Sequence, residues 1–413
     1  MRRLVLFMNI FFRTPRAVAA LALSWTLFAG APIEAQRATG TLGGFQVEFD
    51  SGSYSVSRGA RVEGHVRLFS PQPDAVPFLD LTAGLVTADS VRPPLQARAQ
   101  NGVSLVYRTV QAGPHDTLSK INVQARAQNA TLEVAPKGSQ ARSTLKLSGN
   151  VDGFYEVDGA RSSLKGSSAT LSFGKSKGDV EISVEGGAEG TELKLPAQTF
   201  GPQISLGVVT LNAGRIDRKG NSITVEGGAR GARLKSDGPA VLQVSAPAFD
   251  ALLSQGGDAP GSGSSRQLSR ISSRGRASIS LELPPEDAGK LFNQPSPAQP
   301  KAPAAAAEGA KKADTSTVPV RFQVSADSAV IEPSTQILTL EGNVQGTYVL
   351  REVAQGQAAG EPTSYPFSGS RAILRLMPAT DAAGGQRSGR LDFNLDVTGK
   401  PVSIELPAFN LGP

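Results

Sequence analysis

The 413-residue chain has no cysteine, two histidines and a single tryptophan. Without cysteine there is no disulfide framework, thiol nucleophile, iron–sulfur cluster or Cys-containing zinc site. His65 and His115 are too few for a three-histidine metal centre or an H-E-x-x-H zinc helix, and they leave imidazole acid–base schemes little to work with. Aromatic residues make up 6% of the chain and Trp25 lies in the N-terminal apolar run, so a carbohydrate-binding sandwich would lack its stacking platforms. Beyond residue 36 there is no sustained 3.6-residue periodicity and no run near the ~18 apolar residues of a membrane-spanning helix. What the chain has in quantity is Gly (45) and Pro (28), a balance that disfavours a mostly helical protein.

The N-terminal 35 residues have the layout of an export signal. Arg2, Arg3, Arg13 and Arg16 precede the apolar run Ala17 to Ala29, and small residues lead to a cleavage position after Ala35. Cleavage makes the chain an exported, periplasmic protein. Ile33 fits the cleavage motif poorly, however, and Leu4 to Phe12 could lengthen the apolar span, so an uncleaved segment would instead give membrane association through an inner-membrane anchor. The net charge of +6 at first suggests a nucleic-acid partner. Without residues 1–35 the 42 basic and 36 acidic side chains fall to 38 and 35, and no nucleic-acid partner is expected.

The rest reads as all-β. Val180, Ile182 and Val184 alternate with polar residues, as do Leu391, Phe393, Leu395 and Val397, which sets one face of each strand against an apolar interior. Two stretches break this pattern. Residues 254–276 are Gly/Ser-rich and read as a flexible insertion, and residues 285–317 read as a Pro/Ala-rich linker. Arg266, Arg270, Arg274 and Arg276 of the insertion could meet an acidic surface or a phosphorylated headgroup, but with no aromatic residue among them they read as the charge of a solvated loop. The two stretches divide the chain into a region 37–284, whose clearest module is 120–200, and a second module 318–413.

The modules are recognised by a repeat. LKLSGNVDGFYEV at 145–157 and LTLEGNVQGTYVL at 338–350 agree in residue type on one parity: Leu145, Leu147, Gly149, Val151, Gly153, Tyr155 and Val157 beside Leu338, Leu340, Gly342, Val344, Gly346, Tyr348 and Leu350. The likeness extends upstream (Ala127 to Glu133 beside Ala326 to Glu332), downstream (Leu164 to Leu171 beside Phe367 to Leu374), and to the Leu-Pro-Ala closures at Leu195 and Leu406. A weaker relative lies around Val62 to Val66. Thirteen residues make a strand of roughly 43 Å, and its alternate glycines permit bulges or corners where it bends. Bent strands with a continuous apolar face describe a folded-over antiparallel sheet.

A-D-S-A-x-I-E at 326–332 followed by L-x-L-x-G-N-V at 338–344, with a looser copy at 127–151, resembles the repeat of the OstA-like family, to which LptA-, LptC- and LptD-type lipopolysaccharide-transport proteins belong. The resemblance implies repeated β-jellyroll modules, an apolar interior that holds lipid or lipopolysaccharide acyl chains, and sheet edges that pair with other OstA-like proteins. Leu145, Leu147, Val151, Tyr155, Leu338, Leu340, Val344 and Tyr348 are the expected groove lining. Their alternative place is a closed, side-chain-filled core, in which case the chain is a structural or interaction module of the cell envelope.

Motifs for chemistry are weak. Ser162-Ser163-Leu164-Lys165 matches S-x-x-K but lies between strands, and Asp392 to Asp396 lacks the glycine of a calcium loop. Asn150 and Asn343 suit turns, and His65 takes the same place in its weaker repeat. No catalytic residue, metal site or cofactor is expected, so the reading is a non-enzymatic lipid-binding or lipid-bridging protein.

Overall fold

The computed structural model describes residues 37–55, 59–72, 77–112, 118–136, 141–174, 180–200, 204–255, 266–282, 315–354, 357–358, 361–380, 386–398 and 403–404. The N-terminal segment expected to direct export, the Leu406 closure and His115 lie outside them. The described residues are almost entirely antiparallel strand, all connected in one sheet, with a single 3-10 turn at Gly228–Arg230. Among them no helix is long and apolar enough to cross a membrane.

The sheet is folded into two walls, as strand Ser143–Val157 shows. Residues Thr144 to Ser148 pair with Asn129–Val134 in the first wall, whereas Asp152 to Val157 pair with Leu118–Ala127 in the second. Between them, at Gly149 and Asn150, the register shifts and the strand turns a corner. Ala160–Phe173 returns along the whole length, pairing Leu145 with Leu171 and Tyr155 with Ser162. Ile337–Ala354 crosses in the same way, from Ser328–Glu332 to Thr315–Ala326, and Thr363–Thr380 returns beside it. Gly59–Phe69 makes a third crossing. Elsewhere two short strands do the work of one bent strand, as in Ile204–Ala213 with Arg215–Lys219 across Gly214. At ~4.8 Å per strand, a wall on the order of fifteen strands runs roughly 70 Å along its contour.

Left-handed backbone makes the long-strand corners. Gly149 and Asn150 have φ of 80° and 49°, Gly342 and Asn343 of 75° and 45°, and Gly64 and His65 of 74° and 39°. Glycine takes such angles freely, and Asn tolerates them better than most residues. A Cβ on Gly149 or Gly342 would also come within 2.6 Å of Gln128 Oε1 or 2.5 Å of Asp327 Oδ2. The facing corner residue is held each time: the amides of Gln128 and Asp327 donate to the carbonyls of Gly149 (3.0 Å) and Gly342 (2.8 Å), and Asp50 N donates to Gly64 O (3.1 Å). Asn343 Nδ2 donates to Asp327 Oδ2 (2.7 Å), and His65 Nδ1 lies 2.8 Å from Asp50 Oδ2. His65 thus stands where the repeat has Asn, at a turn.

Two features differ from the sequence reading. Residues 266–274, expected within a flexible insertion, form strand Arg266–Arg274, paired with Ala248–Gln255 and Ser328–Glu332. Leu268 and Ile271 bury inward, while Arg274 reaches Asp250 at 2.8 Å, so alternation with charge concealed a strand. At the expected domain boundary, residues 283–314 lie outside the described set, but their flanks Ala277–Glu282 and Thr315–Ala326 are hydrogen-bonded neighbours, with Ala277 opposite Ala326. The sheet is continuous across that change of composition.

One apolar cluster runs between the walls from Leu42 to Leu374. At about 25 cal/mol per Å², each fully buried Leu or Val contributes roughly 1.5–3 kcal/mol before entropy is counted. With no disulfide available, burial and the hydrogen-bond ladder hold the walls together.

Candidate functional site

All eight residues expected to line a groove point into this interior. Leu145, Leu147, Val151 and Tyr155 are buried along one strand, and Leu338, Leu340, Val344 and Tyr348 along the other. The two quartets belong to one cluster but sit at separate positions along the sheet. Their cross-strand neighbours correspond. Leu145 lies opposite Leu132 and Leu171, and Leu338 opposite Ile331 and Leu374; Leu147 faces Ala130 and Ala169, and Leu340 faces Ala329 and Ala372. Gly153 and Gly346 likewise face Leu164 and Phe367.

Two small cavities lie beside them. A cavity of about 20 Å³ lies between Tyr155, Leu164 and Leu193 of the second wall and Ile182, Val184, Ile216 and Arg218 of the first. Another of about 10 Å³ lies against Leu338, Phe200 and Leu374. Each has room for about one water.

The two tyrosines of the repeat have unlike surroundings. Tyr348 stacks on Tyr365 (ring centroids 5.1 Å apart) and leans on Phe367 (6.4 Å), and burial pushes its hydroxyl pKa up. Tyr155 instead receives Arg218 from the opposite wall, with the guanidinium carbon 4.1 Å from the ring centroid. Arg218 is 7% exposed and its Nη1 has no hydrogen-bond partner. Burial, opposed by Tyr155 and reinforced by the charge of Arg266, pushes its pKa down to about 10, which still leaves it a cation at neutral pH. Arg266 is 8% exposed, and its Nε is also unpartnered.

Sequence reasoning missed Arg218 and placed Arg266 in a solvated insertion, where the structure buries it. A signal for Arg218 was present: it shares the inward parity of Ile216, in a strand whose exposed positions are Arg215 and Lys219. Other polar side chains close the side opposite the corners. Gln198 accepts from Leu268 N (2.6 Å), Thr199 N donates to Gln267 Oε1 (3.1 Å), and Gln336 Nε2 donates to Phe200 O (3.0 Å). Ser162 and Lys165 lie on opposite faces of their strand, Ser162 buried and Lys165 exposed, which is not the one-turn helical geometry that S-x-x-K chemistry uses. Among the described residues no group of three or more His, Asp or Glu side chains could hold a metal ion.

The chain matches no known family, no curated protein and no solved structure.

Proposed function

We propose that the chain is a non-enzymatic, exported lipid-binding or lipid-bridging protein of the cell envelope, similar in working principle to the OstA-like lipopolysaccharide-transport proteins. The observation that carries this reading is the two-walled construction around one continuous apolar interior. Each wall is hydrogen-bonded within itself, and the walls are joined in the chain at the row of corners. On the other side a few side-chain bonds, such as those of Gln198 and Gln336, hold them together. Parting the walls there would expose the inward faces of the two quartets to an acyl chain without breaking a ladder, and each CH₂ transferred from water gains about 0.8 kcal/mol. At the N-terminal end of the described sheet, Ala38–Leu42 pairs only with Phe45–Phe49 among the described residues, and its other edge would serve a strand of a similar protein.

Photo-crosslinking tests the reading. A benzophenone amino acid at Tyr155 or Tyr348 should capture lipid when the protein is made in cells with a lipid-rich envelope, and one at outward-facing Lys146 or Asp152 should not. Equal labelling inside and outside, or none inside, overturns it. A second reading, a structural spacer with a closed core, is favoured by the small cavities. It predicts no lipid in the purified protein by mass spectrometry.

A further inference from the structure

We propose that Arg218 and Arg266 form a site for an oxyanion, a phosphate or carboxylate, placed at the rim of the interior beside the Tyr155 cavity; the inference rests on the lipid-binding reading, with the anion as the head of the bound amphiphile. Arg218 reaches the site from strand Arg215–Lys219 and Arg266 from the start of Arg266–Arg274. Both guanidinium groups meet the same turn: Arg218 Nε donates to Gly220 O at 3.4 Å, and Arg266 Nη1 donates to Asn221 Oδ1. Each keeps one buried nitrogen unsatisfied, Nη1 of Arg218 and Nε of Arg266.

Two buried cations converge there, and no salt bridge joins either of them to a carboxylate among the described residues. Glu192, which lines the adjacent cavity, is paired with Lys194 at 3.4 Å. On Arg215–Lys219 and its neighbour Val180–Glu185 the acids are committed elsewhere, Asp217 and Glu185 to Arg215 at 2.8 and 3.9 Å and Glu181 to Lys219 at 2.7 Å. A buried, incompletely bonded charge destabilises a fold unless a counter-charge meets it. The guanidinium fork suits a phosphate or carboxylate, whose oxygens would accept from the unsatisfied nitrogens. The apolar gap beside it, between Leu164, Ile182 and Leu193, then receives the start of the tail. The Arg218–Tyr155 stack orients one arm of the pair.

The test uses the full chain after delipidation, with binding and melting temperature measured at constant ionic strength against dodecyl phosphate, the uncharged dodecyl maltoside, and inorganic phosphate. The expected result is at least tenfold tighter binding of dodecyl phosphate than of the maltoside. That preference should fall at least tenfold in Arg218→Met and Arg266→Met and persist in Arg215→Met. The unliganded Met variants should melt no lower than the parent, because each removes an unpaired buried cation. Equal binding of the two amphiphiles by the parent chain, with no response to phosphate, overturns the anion site while leaving the lipid reading intact, and this comparison needs no variant to fold. Binding of inorganic phosphate that is lost in Arg218→Met, with no gain from the tail, supports the anion site and overturns the lipid reading.

Discussion

Tyr155 and Tyr348 occupy the same place in two copies of one pattern, each buried four residues beyond an equivalent inward valine and five beyond a left-handed Asn. One sits in an aromatic stack and the other beneath a buried arginine from the facing wall. The repeat governs backbone path and side-chain direction, both properties of a single strand and its ladder partners. Arg218 comes to Tyr155 across the gap from Arg215–Lys219, a strand outside the repeat, whereas Tyr365 meets Tyr348 from the adjacent return leg of the same wall, where the other copy has Ser162. Duplication therefore copied a frame, and the contents of the interior diverged.

The sharpest way to break this comparison is to test whether the frames are equally closed. Val151→Asp and Val344→Asp each place a carboxylate at a position at most 2% exposed, and each should cost about 4 kcal/mol in urea unfolding. If one is tolerated at under ~1 kcal/mol, the walls already part in that copy. A smaller effect separates the tyrosines. Tyr348→Leu should cost about 3 kcal/mol through lost packing and stacking, and its effect should add to that of Arg218→Met. Tyr155→Leu should cost about 2 kcal/mol and couple to Arg218→Met, because the ring and the cation lose each other. Equal coupling at both tyrosines would erase the distinction.

The smallest effect concerns the surface beside Arg218. Lys219, and secondarily Arg142, hold the Glu181 carboxyl below the usual carboxylate range. A depressed acid contributes stability above its unfolded pKa, and that contribution is lost as pH falls through the folded one. Lys219→Met should therefore lower stability by less than ~1 kcal/mol at pH 7, and by progressively less as the pH falls below the usual carboxylate range, as read from paired thermal melts. A difference that does not change with pH would assign Lys219 a packing role instead.

Much of the frame was legible because Ser143–Val157 and Ile337–Ala354 keep one inward parity through their corners: Leu145, Leu147, Val151 and Tyr155 all point in, as do Leu338, Leu340, Val344 and Tyr348. The paired Gly–Asn positions carry the bend without changing the count. The return legs were harder to read. In Ala160–Phe173 the inward residues are Leu164 before the corner and Ala169 and Leu171 after it, a switch from even to odd that period-two reading treats as noise. Arg266–Arg274 was hidden because its arginines resemble solvated loop residues until Ala248–Gln255 and Ser328–Glu332 are set beside it. Which wall a strand joins, and so which residue it presents to Tyr155, depends on corner-to-corner pairing that no local window contains. Hence the inward residues of the repeat could be named from sequence and the arginine pair could not.

The zigzag of legs has a further consequence for assembly. Every ladder joins a strand to others close to it along the chain, so the sheet is close to a one-dimensional array in which each added leg needs only the edge left by its predecessors. Such an order lets structure accumulate from one end as the polypeptide emerges, without waiting for distant partners, and keeps loop-closure entropy low at every step. It also means that each growing front is, for a time, an unprotected strand edge. Arg266–Arg274 and Ala277–Glu282, whose partners Ser328–Glu332 and Thr315–Ala326 come only after the longest undescribed stretch within the sheet, are two such fronts.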